Sequence, residues 1–412
     1  MRIAYIHQYY LTPEVWGGTR SYEFARRLAQ RGHEVHILTT DLESAGRSRR
    51  WHVTIEQGVH VHRLPVAYSN HMSYGRRLVA FAAFALAVSA RATQVAPDLV
   101  FATSTPLTVA IPGIVASRLR RKPFVFEVRD LWPEIPIDIG ALKNPVTKRL
   151  AQWLARLAYN GADQVVALSP GMAAGVIAQG YPADRVTVVP NSCDLELFAV
   201  PEAEVTRFRG SLPWLQGRSL VLYAGSVGLA NGVDYLVHLA AAVRPLDPEI
   251  RFAVVGDGRQ AECVRQLAAK LHVLDETFFM LPLVPKSQIP VVVASADIAT
   301  SLFIPLPSLE HNSANKFFDA LAAARPVAIN YGGWQADLLE RSGAGLVLDP
   351  RSPDVAAGWL VKRVQDPDWL AQAGQAAGVL AREEFSRDML FERFERVLLR
   401  AATGEGTPRV PR

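Results

Sequence analysis

The residues best suited to chemistry lie in segment 308–327, where a polar turn leads into an amphipathic helix. Asn312 or Ser313 can cap this helix, and its first turn carries Lys316. A helix N-terminus offers unpaired N–H groups and the positive end of the helix dipole, which together with an ammonium group suit a diphosphate. Asp319, one turn further on, can accept hydrogen bonds from ribose hydroxyls. Taken alone, the segment favours a capped surface helix with an ordinary lysine.

Two glycine-bearing segments could bring the backbone close to such a ligand. Gly17 and Gly18 join the first predicted strand to the first helix, where helix N–H groups favour phosphate binding; a flexible loop is the alternative. The segment RFAVVGDG at 251–258 runs a strand into a turn and, with Ala261, matches the degenerate dinucleotide fingerprint. A tight strand-to-helix turn needs the same small residues. No ribose-binding acid ends a following strand, so a dehydrogenase is disfavoured.

The segment FEVRDLWPE at 126–134 places charged residues at the end of a predicted buried strand. Asp130 or Glu127 could orient a hydroxyl group of an acceptor, and Arg129 could bind an acceptor phosphate. The alternative is an Arg–Asp ion pair that holds the loop. The sequence favours neither interpretation over the other.

Three histidines, His52, His60 and His62, invite a metal-site interpretation. No cysteine or carboxylate completes a set at ligand spacing, so surface histidines are the favoured interpretation. Asp366 and Asp368 form an acid-x-acid pair at a predicted helix start with no strand before it. We therefore predict no metal site.

An apolar run at 78–90 is flanked by arginines, and a second basic cluster lies at 117–122. A spanning helix needs about 20 apolar residues, so this run is a core helix or lies in a membrane interface. Together the two segments favour an anionic membrane surface, with a buried helix beside a solvated charge run as the alternative. Nucleic acid is disfavoured because aromatic residues are not interleaved with the basic ones. The residues predicted to meet an acceptor or the membrane are Arg76, Arg77, Phe81, Phe84, Arg120 and Arg121.

Composition sets the class of the molecule. The 412 residues are 50% apolar and 20% charged, which is enough to bury more than one core and excludes disorder. A net charge of +5 favours an anionic partner. Cys193 and Cys263 are the only cysteines, which excludes a disulfide scaffold and indicates a reducing compartment. The first strand begins at Ile3 without a secretory signal before it, so a cytosolic protein is expected.

Short apolar runs alternate with helical stretches in two series, a pattern typical of doubly wound parallel sheets. Between the series, residues 191–213 lack a pattern and contain Pro201 and Pro213, so we place a linker there. Two such domains would leave a cleft at the carboxyl ends of their strands, where loops and helix N-termini bind ligands. The predicted strands are 3–5, 34–40, 99–103, 123–128 and 164–168 in the first series, and 220–225, 251–256, 277–281, 298–301, 326–330 and 345–348 in the second.

Five motifs stand in an order that resembles a known family. They are the paired glycines after strand one, VVPNSCD at 188–194, YAGSVGLANGVDYL at 223–236, VVGDGR at 254–259 and NKFFDALAAARPV at 315–327. The order resembles family-4 retaining glycosyltransferases of the GT-B fold. Within them the chain is similar to WbuB-like sugar transferases of bacterial surface-polysaccharide assembly, which share the FEVRDLWPE segment.

The resemblance implies an α/β protein of the GT-B type, with two Rossmann-like domains facing a cleft. We predict an acceptor-binding domain at 1–200 and a nucleotide-sugar donor domain at 201–385. A C-terminal helix at 386–402 would return to the first domain, and 403–412 would form a tail.

The family commonly carries two glutamates separated by seven residues near the donor. Asp319 matches the second, which holds ribose, whereas His311 stands at the first position with Glu310 beside it. The Arg and Lys that usually follow the first donor-domain strand are replaced by Ser226 and Asn231. These departures shift the expected phosphate binding to other groups.

Phosphate binding is accordingly expected from Lys316, loop amides and Arg20. The full set of predicted donor-binding residues is Gly17, Gly18, Arg20, Gly225, Ser226, Asn231, Gly256, Asp257, Gly258, Glu310, Ser313, Ala314, Asn315, Lys316 and Asp319. The catalytic candidates are Asp130, Arg129, Glu127 and His311. No metal or other cofactor is expected, because helix N-termini and the lysine can stabilise a leaving diphosphate.

The resemblance implies a retaining enzyme that moves a hexosyl or N-acetylhexosaminyl group from a nucleotide-diphosphate sugar, a UDP-sugar in preference, to a lipid-linked or glycan acceptor. It would be peripheral at the cytoplasmic face of the cell membrane. It also implies that the departing phosphate oxygen takes the acceptor proton, so Asp130 need only position. Two alternatives stay open: a sugar-nucleotide epimerase or phosphorylase of the same fold, and a non-catalytic nucleotide-sugar-binding subunit of a membrane assembly.

Overall fold

The computed structural model describes residues 1–15, 17–41, 51–66, 74–104, 106–140 and 142–404, and the chain divides into two compact units. Unit 1 comprises Met1–Thr12, Thr19–Pro190 and the chain from Leu390 onward. Unit 2 comprises Pro13–Gly18 and Asn191–Met389. The loop that carries Gly17 and Gly18 thus groups with unit 2, although its flanking elements belong to unit 1.

Unit 1 is built on a sheet in the order β3-β4-β2-β1-β5-β6-β7-β8. All neighbours pair in parallel except β3, which is antiparallel to β4. The central strands are apolar along most of their length because helices cover both faces of a parallel sheet. The strands are β1 (Arg2–Ile6), β2 (Glu34–Asp41), β3 (His52–Glu56), β4 (Val59–Pro65), β5 (Leu99–Thr103), β6 (Phe124–Val128), β7 (Gln164–Ala167) and β8 (Val186–Val188).

The five strands predicted for the first series are confirmed as β1, β2, β5, β6 and β7. Three strands are absent from the predicted series, and each has a weak pattern, although the prediction that His60 and His62 share one strand face is confirmed by β4. In β4, His60 and His62 alternate with valines; β3 lies half exposed at the sheet edge; and β8 is only 3 residues long.

The helices of unit 1 up to residue 178 are α1 (Arg20–Gln30), α2 (Tyr74–Gln94), α3 (Ala110–Arg120), α4 (Glu134–Asp138), α5 (Pro145–Gly161) and α6 (Pro170–Ala178). Helices α2, α3 and α5 each cross from one parallel strand to another, so they run antiparallel to the strands and begin at the carboxyl edge of the sheet. Phe84 of α2, Ile114 of α3 and Ala158 of α5 belong to one buried cluster with Phe124 and Phe126 of β6. The three helices therefore form one layer on the sheet.

Unit 2 is built on an all-parallel sheet in the order β11-β10-β9-β12-β13-β14, and all six strands predicted for the second series are confirmed. The predicted linker 191–213 is wrong in part, because residues 202–210 form a helix that buries Val205. The elements of unit 2 are α7 (Glu202–Gly210), β9 (Leu220–Ala224), α8 (Asp234–Val243), β10 (Arg251–Val255), α9 (Ala261–Lys270), β11 (Phe278–Leu281), α10 (Ile289–Ala294), β12 (Ile298–Ser301), α11 (Asn315–Ala322), β13 (Val327–Ile329), α12 (Trp334–Ser342), β14 (Gly345–Val347), α13 (Pro353–Val364) and α14 (Pro367–Glu383). Helix α15 (Arg387–Thr403) follows, and from Leu390 onward it belongs to unit 1.

The last helix, α15, completes the aromatic core of unit 1. The Phe394 ring lies 4.9 Å from the Phe24 ring and 5.0 Å from the Phe101 ring, centroid to centroid. Phe391 packs edge-on against Phe24 at 5.9 Å. The C-terminal segment from Leu390 is therefore part of the first unit's fold.

Candidate functional site

Lys316 lies in the first turn of α11, beneath the loop that follows β9. Its Nζ lies 5.2 Å from the Tyr223 ring and 5.8 Å from the Phe303 ring. A Cβ at Gly225, where φ is +155°, would stand 2.9 Å from the Lys316 side chain, so the lysine fills the space that glycine leaves. Burial lowers the pKa of Lys316 to about 8, against a smaller opposing effect from Asp319. In the described part of the chain, Nζ makes no hydrogen bond or ion pair, which suits an incoming anion.

Asp319, the predicted ribose ligand, pairs with a lysine that the sequence analysis missed. The Lys286 Nζ donates to Asp319 Oδ2 at 2.7 Å, and both side chains are largely buried. Lys286 also lies over the Phe198 ring, 5.6 Å from its centroid. Its only sequence signal is its place just after β11, at the carboxyl edge of the sheet. Asp319 is therefore a positioned carboxylate with one oxygen already committed.

The segment before α11 begins the helix differently from the prediction. Ala314 is the N-cap residue and no side chain caps the helix, so the predicted cap by Asn312 or Ser313 is wrong. Asn312 Oδ1 accepts from the Ala314 N–H at 3.1 Å, and Ser313 Oγ accepts from the Asn191 N–H at 3.0 Å. The first turn, which opens with Asn315, thus keeps its backbone N–H groups free of side-chain caps.

Glu310 and His311 end a short 3-10 helix, Pro307–His311, and both are half buried. The Glu310 carboxyl group lies beside the glycines that precede α12: a Cβ on Gly332 would stand 3.5 Å from it. At Gly333, φ is +83° and a Cβ would stand 2.5 Å from the Glu310 carbonyl oxygen. The two glycines thus allow the Glu310 turn to approach α12.

The glycines after β10 serve loop packing. A Cβ on Gly256 would stand 1.9 Å from the Gly225 carbonyl oxygen, and one on Gly258 would stand 2.4 Å from the Val227 carbonyl oxygen. This supports the tight-turn interpretation, in which glycine is needed by a neighbouring loop. Asp257 is exposed, and its Oδ1 accepts from the Gly258 N–H at 2.7 Å.

The two residues that depart from the family pattern lie in the loop after β9. Ser226 is exposed, and its carbonyl oxygen accepts from the Tyr223 hydroxyl at 2.6 Å. Asn231 Oδ1 accepts from the Gly228 N–H at 3.2 Å and so stabilises the turn. Neither supplies a cation, and Lys316 is the charged group that this loop covers.

In unit 1, a second group of charged residues lies at the carboxyl ends of β1 and β6. Burial raises the pKa of Asp130 to about 6, with Arg129 opposing the shift. Nη1 of Arg129 lies 3.4 Å from Nε2 of His7, and burial together with Arg129 holds the pKa of His7 well below its usual value. The sequence analysis missed His7, which directly follows β1. The group combines an ionisable carboxylate, a neutral imidazole and a guanidinium.

The structure corrects the roles predicted for Arg20 and Glu127. Glu127 is fully buried; its Oε1 accepts from Nε and Nη2 of Arg20 at 3.0 and 2.8 Å, and its Oε2 accepts from Thr103 at 2.7 Å. Arg20 also donates to the carbonyl oxygens of Val189 and Pro190. Because these contacts occupy both side chains, they form a buried ion pair that joins α1, β6 and the segment after β8. The predicted catalytic and phosphate-binding roles do not fit them.

The residues predicted to meet a membrane are also corrected in part. Phe84 is fully buried in the core of unit 1, and Phe81 is half buried. Arg120 donates to the Thr93 carbonyl oxygen at 2.7 Å, and Arg121 follows α3. Both lie at the amino edge of the sheet, whereas Asp130 lies at the carboxyl edge. Arg76 is exposed on α2, while the side chain of Arg77 lies outside the described residues. Among the helices described, none is long and apolar enough to cross a membrane.

The prediction that the histidines lie on the surface is wrong for one of them. His62 is buried, with Nε2 2.9 Å from Nδ1 of His36 and Nδ1 3.1 Å from Nε of Arg91. Burial, followed by Arg91, lowers the pKa of His62 to about 4. His60 stacks on His36, and His52 is exposed. Across the described ranges, no set of three His, Cys, Asp or Glu residues could hold a metal ion.

Comparison with known families accounts for both units. Residues 17–192 match the family described as glycosyl transferase 4-like domain, and residues 204–378 match glycosyl transferases group 1. Together the two matches span most of the chain.

The individual relatives have low sequence identity to this chain, but the matches cover most of its length. “Putative colanic acid biosynthesis glycosyl transferase WcaI” of Escherichia coli K12 is 24% identical over 66% of this chain and 69% of its own length. The crystal structure of HepE from Anabaena in complex with UDP and glucose has a TM-score of 0.72 at 18% identity, covering 97% of this chain and 99% of that one. WaaG, a glycosyltransferase involved in lipopolysaccharide biosynthesis, has a TM-score of 0.72 at 17% identity, covering 96% and 99%. The structural matches establish the GT-B fold.

Proposed function

The chain belongs to the family-4 glycosyltransferases of the GT-B fold, and on that premise we propose a specific reaction for it. It transfers a hexosyl or N-acetylhexosaminyl group, with retention, from a UDP-sugar to a lipid-linked or glycan acceptor during assembly of a bacterial surface polysaccharide. It works at the cytoplasmic face of the cell membrane as a peripheral protein.

The observation that carries this proposal is the isolated ammonium group of Lys316. It lies in the first turn of α11, whose N–H groups lack side-chain caps, and it has no carboxylate bonded to it in the described part of the chain. A diphosphate placed there gains a charge-assisted hydrogen bond and the positive end of the helix dipole. Lys316 therefore stabilises the diphosphate as it leaves the sugar.

The reaction needs few protein groups. The acceptor oxygen bonds to the anomeric carbon as the bond from that carbon to the diphosphate oxygen breaks, on the same face of the sugar. The departing phosphate oxygen takes the acceptor proton, so charge balances without a protein base. Asp130 accepts a hydrogen bond from the acceptor hydroxyl and orients it, which an ionised carboxylate does well above pH 6.

The relatives support the choice of donor and pathway. HepE was crystallised with UDP and glucose, and WaaG is involved in lipopolysaccharide biosynthesis. WcaI carries a name that refers to colanic acid biosynthesis. We extend a UDP-sugar donor and a surface-polysaccharide product to this chain on that basis.

The test is to incubate the purified protein with labelled UDP- and GDP-sugars and a bacterial membrane lipid extract. We expect a lipid-linked labelled product from one UDP-sugar. Lys316→Met should abolish its formation, whereas Lys270→Met, which removes an exposed lysine of α9, should leave it unchanged.

Two other outcomes would contradict the proposal. Epimerised donor without lipid product would show an epimerase, and tight nucleotide-sugar binding without turnover would show a binding subunit. Equal activity of the Lys316→Met and Lys270→Met variants would remove Lys316 from the reaction.

A further inference from the structure

Helix α5 is apolar on two opposite faces. Towards the core it buries Ala155, Ala158 and Tyr159. On the other side, Val146, Leu150 and Trp153 are 70%, 60% and 58% exposed. At about 100° per residue these three form one stripe, and it points directly away from the buried face. A helix with a second apolar face needs a second partner.

The start of α5, where the exposed stripe begins, is fixed by a capping residue. Asn144 caps α5, its side chain accepting from the Val146 N–H at 2.8 Å, and Pro145 occupies the first turn. The cap fixes where the helix begins and therefore which residues face outward. Nearly all residues from 143 to 150 are exposed, so the first two turns stand clear of the core.

The charges around the stripe identify the partner. Lys143, Arg149 and Arg156 are exposed beside it, and no Asp or Glu occurs between residues 139 and 161. Basic residues flanking an apolar stripe with a tryptophan match the interface of an anionic bilayer. A second copy of the chain would bring like charges together, which disfavours self-association.

Helix α2 extends the same surface. Val79 and Leu86 are 69% and 74% exposed on its outward face, and Arg76 is exposed near its start. Helix α3 packs against both α2 and α5, so all three belong to one layer. The first turns of α2 and α5 lie at the carboxyl edge of the sheet, where Asp130 and His7 are found.

We propose that the outward face of α5, with Val146, Leu150 and Trp153 at its centre, docks unit 1 onto an anionic lipid surface. Because this stripe lies in the first half of α5, which begins at the carboxyl edge of the first sheet, docking brings that end of the helix layer to the headgroups. The inference rests on the proposed function for one point only, the purpose of docking, because a lipid-linked acceptor would be held at that surface.

The test is cosedimentation with phosphatidylcholine vesicles with and without phosphatidylglycerol. We expect binding only with phosphatidylglycerol, weakened by added salt. The double variant Leu150→Ser, Trp153→Ser should lose at least about tenfold in affinity with an unchanged thermal melt, because the side chains are already exposed. The matched control is Val355→Ser, Trp359→Ser on α13, where the same exposure (55% and 58%) lies in unit 2.

A second measurement covers the case in which the double variant folds poorly. Brominated lipid should quench tryptophan fluorescence in the wild type, and Trp153→Phe should remove that part of the quenching while keeping vesicle binding. Unchanged binding by the double variant, or a dimer that the double variant dissolves, would overturn the proposal. Calorimetry with UDP is run in parallel, so a failure of vesicle docking is distinguishable from a failure of donor binding.

Discussion

The carboxyl edge of each sheet carries a buried ion pair and an unpaired charge, and the unpaired charges of the two edges have opposite sign. Each edge has an ion pair that is largely buried: Arg20 with Glu127 in unit 1, and Lys286 with Asp319 in unit 2. Each also has a desolvated charge without a bonded partner in the described part of the chain. In unit 1 this is Asp130, and in unit 2 it is Lys316.

The paired charges and the unpaired charges have different roles: the first stabilise the fold and the second bind ligands. A paired buried charge fixes a loop, because breaking the pair leaves the other charge unsolvated. An unpaired desolvated charge raises the energy of the empty site and is relieved by a ligand of complementary charge or hydrogen bonding. The signs therefore assign the edges: Asp130 suits a hydroxyl that donates a hydrogen bond, and Lys316 suits an anion.

The largest expected effect comes from breaking the paired charges of unit 1. Arg20→Met leaves Glu127 buried without a cation and should cost about 3–5 kcal/mol of unfolding free energy. Arg2→Met, at an exposed pair with Glu34, should cost less than about 1 kcal/mol. Urea unfolding at neutral pH measures both, and equal losses would show that the Arg20–Glu127 pair does not hold unit 1 together.

The unpaired charge of unit 2 should govern donor affinity. Lys316→Met should weaken UDP binding by about 1.5–3 kcal/mol, through loss of a charge-assisted hydrogen bond. In the wild type, affinity should fall as pH rises through about 8, because only the protonated lysine carries charge. Calorimetry across that range checks the variant and the wild type together. A pH dependence that survives in Lys316→Met would assign it to another group.

The unpaired charge of unit 1 should reduce stability while it serves the reaction. Burial raises the folded pKa of Asp130 to about 6, whereas an unfolded aspartate has a pKa of about 4, so the stability cost builds up between those two pH values, is complete above about pH 6 and vanishes at more acid pH. Asp130→Asn should therefore raise the unfolding free energy by about 1–2 kcal/mol at neutral pH, with no gain near the pKa of an unfolded aspartate. Sugar transfer should fall at the same time. Paired thermal melts and transfer assays test this, and a variant that is active and no more stable would refute it.

The smallest expected effect is that of metal removal. If Lys316 and helix N–H groups stabilise the leaving diphosphate, EDTA should leave transfer unchanged within error. Loss of activity in chelator, restored by Mg²⁺ or Mn²⁺, would show that a cation shares this task and would weaken the assignment of the anion site to Lys316 alone.

The sequence predicted the elements with strong local patterns. Buried parallel strands are continuous apolar runs, so β1, β5 and β9 could be placed within a residue or two, and Lys316 could be placed in the first turn of a helix. The partners of charged residues could not be predicted, since the ion pair of Asp319 joins segments that are distant in sequence. The burial of Phe84 was missed for a related reason: a helix that is apolar on several sides does not reveal which side meets the core.

Helix α15 has a consequence for the order in which the molecule can be made. The rings of Phe391 and Phe394 close the cluster of Phe24 and Phe101, yet they are synthesised after nearly all of unit 2. During translation, Phe24 and Phe101 of the first unit therefore stay exposed until α15 has been synthesised. Transiently exposed apolar surface of this kind promotes aggregation and chaperone binding. A fragment that stops at Pro190 should be insoluble on its own. A peptide spanning α15 should rescue it in trans.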